Sequence, residues 1–347
     1  MIRRPPRSTQ SRSSAASDVY KRQSLFFLLI FVILGAVHFA EIIAVKVGEP
    51  FGSLILAICI TIIEVALIVS MMLSGIDGSE FIARDTVFAA VMIIGNGVIG
   101  SCIFLGGLRH RELAFKSAGT HTALAVLVVL VTFSLVLPIF TVSTPGPTFS
   151  TSQLIFAGVS SLILYCAFIA FQTITHREYF LLSPKTINTK ISSIKPNNNL
   201  IMNGVLLFLA LLIVVSLAKL LSPTIEDWVL KVDAPKAMVG IIIAAIVLLP
   251  ESLAAIRAAR ENRLQSSINL ALGSAIASIG LTIPAVAGIS IYFNIPLSLG
   301  IPPLSMLLLF LTVFVGLITL SLGKTNALQG IIHLIIFFTY LFTTLVG

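Results

Sequence analysis

Hydrophobic positions along this chain fall in long unbroken runs rather than in alternation. From Ser24 onward ten apolar segments can be marked, at 24–45, 52–74, 86–107, 121–142, 153–175, 200–221, 236–256, 266–292, 299–322 and 326–346. About 20 apolar residues in helical conformation cross about 30 Å of hydrocarbon, so each run predicts one transmembrane helix. A membrane barrel would instead show segments of about ten residues with alternating hydrophobicity. The pattern therefore predicts an all-α polytopic membrane protein with ten transmembrane helices in this chain. The seventh run continues into the Arg-rich stretch AAIRAAREN, and its helix is expected to extend past the bilayer surface. Residues 176–199, with Pro184, Pro196 and scattered Lys and Asn, form the longest linker. They divide an N-terminal membrane half, 24–175, from a C-terminal half, 200–347, with five helices in each.

Two acids interrupt these runs. Glu64 lies near the middle of the second run, and Glu251 directly follows Pro250 in the seventh. A carboxylate inside a membrane helix is expensive, by about 3 kcal/mol or more at the bilayer centre, and marks a functional site by default. The plain alternatives are a Glu64 that is permanently protonated or paired for stability, and a Glu251 that reaches from its helix end toward the interface near Arg257. Each acid-bearing run is followed by one with a small-residue patch: Gly95, Asn96, Gly97, Gly100 and Ser101 after Glu64, and Gly273, Ser274, Ala275, Ala277 and Ser278 after Glu251. Small residues let membrane helices approach closely. Asn96, Ser274 and Ser278 also offer neutral oxygens to a hard cation held by the carboxylates, so the patches serve packing, ligation or both. Thr61 precedes Glu64 by three residues and shares its helical face. Pro250 frees a backbone carbonyl that a cation could take as a ligand. Glu41, near one end of the first run, is either an interfacial acid or an access or gating acid. His333 reads as a satisfied buried histidine ahead of a proton relay.

Counting Lys and Arg in alternate loops sets the orientation. Loops after odd-numbered segments hold twelve, namely Lys46, Arg109, Arg111, Lys116, Arg177, Lys185, Lys190, Lys195, Arg257, Arg260, Arg263 and Lys324. The other side holds four, Arg84, Lys219, Lys231 and Lys236. The richer side is expected to face the cytoplasm, which puts the carboxyl terminus outside. Glu64 then sits on a helix that runs outward and Glu251 on one that runs inward, so the two acid-bearing units form inverted five-helix repeats. Inverted repeats that converge near the midplane are a recurrent way to build a transport site.

Composition agrees with this picture. At 57% hydrophobic and 10% charged, with a mean hydropathy of +1.07, the chain lacks the charge to cover a water-soluble globule. The net charge of +8 suggests an anionic partner until it is located: residues 1–23 carry six Lys/Arg and one Asp. That leader has no apolar core of a signal peptide and resembles a translated adapter or vector scar. It is expected to lie outside the fold, with a native first helix missing and eleven helices in the complete protein. No nucleic-acid partner is implied; the partners expected are the lipid bilayer, small cations and protons. Cys59, Cys102 and Cys166 have no paired spacing and read as small buried hydrophobes. The sequence contains no phosphate-binding loop, nucleophile elbow, zinc-protease motif or dinucleotide fingerprint, so no enzyme and no cofactor is expected. Transport energy must then come from an ion gradient.

Three stretches carry a family resemblance: GEPFGSLILAICITIIEV with RDTVFAAVMIIGNGVIG, then LLPESLAAIRAARENRLQSSINLALGSAIASIGLTIP, and finally GKTNALQGIIHLIIFFTYL. Together they resemble the cation/calcium exchanger superfamily, most closely the bacterial ChaA-like calcium/proton (sodium/proton) antiporters, over essentially all of 24–347. The resemblance implies an inverted-repeat antiporter in the bacterial inner membrane, with central cation-binding acids at Glu64 and Glu251. It departs from the broader calcium/proton exchangers at Thr61 and Leu248, where an Asn usually precedes the acid by three positions. It departs again at Ala277, where a Gln often stands, and at Gln329, where an acid does. These changes bear on ion selectivity and leave the exchange mechanism intact.

The expected mechanism is competition. A low-dielectric interior favours a neutral carboxyl group, and an arriving cation favours the charged form and expels the proton. Exchange follows if only a loaded or protonated site can change sides. Calcium/proton antiport is the first expectation, sodium or potassium/proton antiport on the same scaffold the alternative, and a cation channel a third.

Overall fold

The computed structural model describes residues 8–47, 51–73, 78–180, 199–231 and 235–346. Among these, nine helices are long and apolar enough to cross a membrane. The remaining expected segment falls on α2 (Phe51–Met72), apolar from Ile58 to Met72. The chain is a multi-pass integral membrane protein, and each apolar run of the sequence coincides with helix.

The first half comprises α1 (Ser8–Val47), α2, then α3 (Ile82–Met92), which passes through a π-turn at Ile93–Val98 into α4 (Ile99–His110). It continues with α5 (Ser117–Val131), a π-turn into α6 (Leu137–Phe140), α7 (Thr151–Ala170) and the short α8 (Arg177–Phe180). The second half comprises α9 (Leu200–Lys231), α10 (Ala237–Arg260), α11 (Leu264–Phe293), α12 (Pro303–Ser321) and α13 (Ala327–Val346). Helix α1 extends back to Ser8 and so takes in part of the 1–23 leader. As the Arg-rich sequence suggested, α10 runs on to Arg260.

Local chemistry sets several helix ends. Ser150 caps α7 in a capping box: its hydroxyl accepts from the Gln153 amide, and the Gln153 side chain accepts from the Ser150 amide at 2.9 Å. Pro303 opens α12, where a missing N–H is harmless. Asn294 closes α11 in the left-handed region at φ 53°, which asparagine tolerates better than most residues.

Helix α11 is the hub, packing against α2, α5, α7 and α10, while α10 also packs on α3, α13 on α4, and α1 on α2 and α9. Glycines allow two of these crossings. A Cβ at Gly330 would lie 2.4 Å from the Phe104 amide nitrogen on α4, and one at Gly280 would lie 2.7 Å from Cβ of Tyr165 on α7. In a bilayer, where apolar surfaces gain little by leaving lipid, such close backbone approach supplies much of the attraction between helices.

The two ends of the bundle confirm which loops share a side. At one end β1 (Glu112–Ala114) pairs antiparallel with β2 (Lys324–Asn326), with Leu113 opposite Thr325. At that end His110 Nε2 is 3.1 Å from the Arg260 carbonyl, and Lys116 donates from Nζ to the Glu178 carbonyl at 2.7 Å. At the other end the Ser298 amide donates to the Glu80 carbonyl, and the Gly300 amide to the Pro147 carbonyl, both at 3.0 Å. Loops after segments three, five, seven and nine thus meet at one end, and loops after two, four and eight at the other. The β1–β2 ribbon had no signal in the sequence, because three-residue strands are too short to show a period.

Candidate cation-binding site

Glu64 and Glu251 come from different helices, and both carboxylates are held by α11. The Ser278 hydroxyl lies 2.7 Å from Glu64 Oε1 and 2.6 Å from Oε2. The Ser274 hydroxyl donates to Glu251 Oε2. Ser274 and Ser278 are four residues apart, which puts them on one face of α11 with an axial separation of about 6 Å. Helix α11 therefore acts as a ruler that sets the two acids one turn apart. The helical spacing explains the geometry, and the small neighbours Gly273 and Ala277 help to leave the space beside the acids open.

Beside the acids is a cavity of about 250 Å³ whose polar lining is Thr61, Tyr165, Gln172, Glu251, Asn269, Ser274 and Ser278. Glu251 faces this cavity directly. Glu64 is 2% exposed and lies behind the wall formed by Thr61 and Ser278. The ion pairs Arg84–Asp85, Arg263–Glu261 and Lys324–Glu112 lie away from Glu64 and do not neutralise it. An ionised carboxylate has room for about four donors, and Glu64 has the Ser278 hydroxyl. Thr282, one turn further along α11, is near enough to interact with Glu64, yet its buried hydroxyl makes no hydrogen bond. A buried carboxylate so sparsely satisfied needs a proton or a cation to offset its charge. The donor set here is carboxylate, hydroxyl and carboxamide oxygen, the chemistry of a hard cation such as calcium or sodium. Among the described residues no three His, Cys, Asp or Glu side chains cluster.

The other residues singled out in the sequence distribute as follows. Thr61, Ser274 and Ser278 join the two acids. Pro250 sits inside α10 next to Glu251, and its missing N–H frees the Ile246 carbonyl. The side chain of Glu41 lies outside the described residues. Asn96 is fully buried in the π-turn between α3 and α4, but its bonds run elsewhere. Its Nδ2 donates to Thr312 Oγ1 at 2.8 Å and its Oδ1 is 3.2 Å from His333 Nδ1. His333 Nε2 is 3.2 Å from Thr319 Oγ1, and Thr312 donates to the Leu308 carbonyl at 2.7 Å. With the Thr312 hydroxyl donating to Leu308, its oxygen accepts from Asn96 Nδ2, which leaves Asn96 Oδ1 facing His333 Nδ1. Asn96 thus knits α4 to α12 and α13, and is absent from the cavity lining.

Three cavity residues escaped the sequence reading. Tyr165 on α7 and Gln172 in the π-turn that follows it (Phe171–Thr175) are seven residues apart, with Phe168 and Ile169 between them in the cavity lining. That stripe was visible as the polar positions of the fifth apolar run, but nothing in the sequence tied it to the acids. Asn269 on α11 accepts from Gln265 Nε2 at 2.8 Å and donates to the Phe180 carbonyl at 2.6 Å, which links the cavity lining to α8.

Comparison with known proteins bears on what this arrangement does. A family model described as sodium/calcium exchanger protein matches residues 24–174 and 202–346. A Sinorhizobium fredii protein, y4hA, which bears the name of an ionic transporter, is 50% identical over 90% of this chain and 85% of its own length. The sodium-potassium/proton antiporter ChaA of Escherichia coli strain K12 is 30% identical over 88% of this chain and 84% of its own. The solved structure of native YfkE aligns with a TM-score of 0.72 at 17% identity, covering 92% of this chain and 90% of that one. The crystal structure of the H+/Ca2+ exchanger CAX aligns at 0.69 and 14% identity, over 96% and 86%. At these identities the two structures establish the fold.

Proposed function

The chain belongs to the sodium/calcium exchanger protein family, in its ChaA-like branch, a family of ion exchangers and not of enzymes, and from that premise we propose that it exchanges calcium for protons across the membrane. The observation that carries this reading is the pair of intramembrane carboxylates set one turn apart by Ser274 and Ser278 beside a common cavity. Two acids carry two negative charges at most, which one divalent cation or two protons balance equally. The loaded and the doubly protonated sites are therefore both neutral and free to change sides. The bare site, with two carboxylates in low dielectric, is not.

Support for inverted repeats comes from matched contacts: α2 packs on α11 as α10 packs on α3, and α7 packs on α11 as α13 packs on α4. In this reading the ten segments are two five-helix repeats. The chain lies in a bacterial inner membrane with its carboxyl terminus outside. Glu64 and Glu251 bind the cation and protons in turn. Thr61, Ser274 and Ser278 add neutral oxygens, and Pro250 supplies conformational freedom next to Glu251.

The test is proton flux in everted vesicles, followed by a pH-sensitive dye. Calcium should dequench the dye, and Glu64→Gln or Glu251→Gln should abolish the response at unchanged membrane expression. Full activity in either variant would refute the paired-acid mechanism. A second reading, sodium or potassium/proton exchange, is favoured by the name of the relative at 30% identity; dequenching by those ions and not by calcium would select it.

A further inference from the structure

Ser274, Ser278 and Thr282 follow one another at four-residue steps, so they form one stripe of hydroxyls along α11, each about 6 Å from the next. The first holds Glu251 and the second holds Glu64, while the third makes no hydrogen bond. Thr282 is fully buried, and the α11 residues that line the cavity run from Asn269 to Ser278. It therefore stands beyond Ser278 on the closed side of Glu64, near enough to interact with that carboxylate. A hydroxyl inside a helix has a ready acceptor in the carbonyl four residues back. Ser134, Thr173, Ser252 and Thr312 all take it, at 2.6–2.7 Å. Thr282 does not. A buried hydroxyl without a partner is costly, and native structures rarely keep one without a use.

The position of Glu64 supplies the use. Its two oxygens share the single Ser278 hydrogen, which keeps the carboxylate behind the cavity wall. To reach a cation in the cavity, the carboxylate must turn so that one oxygen faces Thr61 and Ser278 and the other faces the closed side. That rear oxygen then needs a donor of its own. We propose that Thr282 is a positioning residue for Glu64, its hydroxyl donating to the rear carboxylate oxygen while the front oxygen is given to the cation. The proposal rests on the antiport reading above and deepens it. Thr282 touches no cation, in keeping with its place outside the cavity lining. Its unpaired hydroxyl raises the free energy of the ion-free site and its new bond lowers that of the loaded one, so both effects favour cation binding.

The experiment compares the full-length protein with Thr282→Val, Thr282→Ser and Thr282→Ala in everted vesicles at one fixed pH. It measures KM and kcat for calcium, sodium and potassium, together with thermal unfolding in detergent with and without each chloride salt. Thr282→Val keeps the shape and removes the hydroxyl. The expected result is a KM about tenfold higher for the transported cation, a smaller thermal shift on adding that cation, and an ion-free midpoint at or above that of the wild type. Thr282→Ser and Thr282→Ala both lose the methyl group and differ only in the hydroxyl, so they give the same reading if the valine variant is poorly expressed. The serine variant should keep a KM near wild type and the alanine variant should show the tenfold rise. A Thr282→Val KM within about twofold of wild type would overturn the proposal, as would equal KM values for the serine and alanine variants. A raised KM accompanied by a lower ion-free midpoint in Thr282→Val would overturn it too, since that marks a packing role. If the wild type itself exchanges no cation for protons, the antiport reading falls and this one with it. Normal wild-type exchange with an unaffected Thr282→Val variant removes this inference alone.

Discussion

Removing the Ser278 hydroxyl tests whether Glu64 depends on it as closely as the geometry implies. Glu64 is 2% exposed, stands outside the cavity lining and receives the Ser278 hydroxyl at 2.6–2.7 Å. A hydrogen bond to a charged group contributes about 1.5–3 kcal/mol. Ser278 lines the cavity but Glu64 stands behind it, so in Ser278→Ala a water can make up only part of the bond, and most of the amount is lost from the charged, cation-binding form of Glu64. At about 1.4 kcal/mol per decade, the apparent KM for the cation should rise between about 12-fold and 150-fold. Ser274→Ala is the internal control. Glu251 lines the cavity, where water can take the vacated position, so the loss should be smaller, about tenfold or less. The assay is dye dequenching in everted vesicles against cation concentration at fixed pH, with protein levels matched by immunoblot. Lower pH should raise KM in every active variant, because protons compete for the same carboxylates. A Ser278→Ala KM within about twofold of wild type, or a larger effect from Ser274→Ala, would refute the idea that Glu64 is the enclosed acid of the pair.

The packing makes further predictions. Gly330→Ala should abolish folded protein, since its Cβ would stand 2.4 Å from the Phe104 nitrogen, whereas Gly35→Ala, with nothing within 4 Å, should leave the size-exclusion profile unchanged. His333→Ala strands Asn96 and Thr319 and should cost about 1–2 kcal/mol per lost interhelical hydrogen bond. Its signature is a lower thermal midpoint with KM close to wild type, because the network is absent from the cavity lining. For sidedness, Lys324→Cys should react with an impermeant maleimide in everted vesicles and Ser143→Cys in right-side-out cells; reaction of both from one side would contradict the bundle ends described above.

Much of this protein was legible before its structure. The places of the helices follow from hydropathy because a bilayer accepts only backbone that satisfies itself, so each crossing writes its length into the sequence. The Lys/Arg bias assigned loops after odd segments to one side, and the β1–β2 ribbon and the Lys116–Glu178 contact join loops of that set. Glu64 and Glu251 were conspicuous for the same reason: hydrocarbon makes every polar residue an exception that needs a cause.

What the sequence could not decide was which exceptions meet. Asn96 and Ser274 occupy like positions in small-residue patches, yet Ser274 reaches Glu251 while Asn96 turns to Thr312 and His333. The choice depends on which helices flank each patch, a tertiary fact. Tyr165, Gln172 and Asn269 carried no periodic or compositional signal of a site; only the packing of α7 on α11 brings the first two to the cavity that Asn269 lines from α11. A one-dimensional pattern records what each helix must hide from lipid or water. The partner it meets is set by the backbone approach that glycines such as Gly280 and Gly330 permit, and that depends on the three-dimensional fit of the whole bundle.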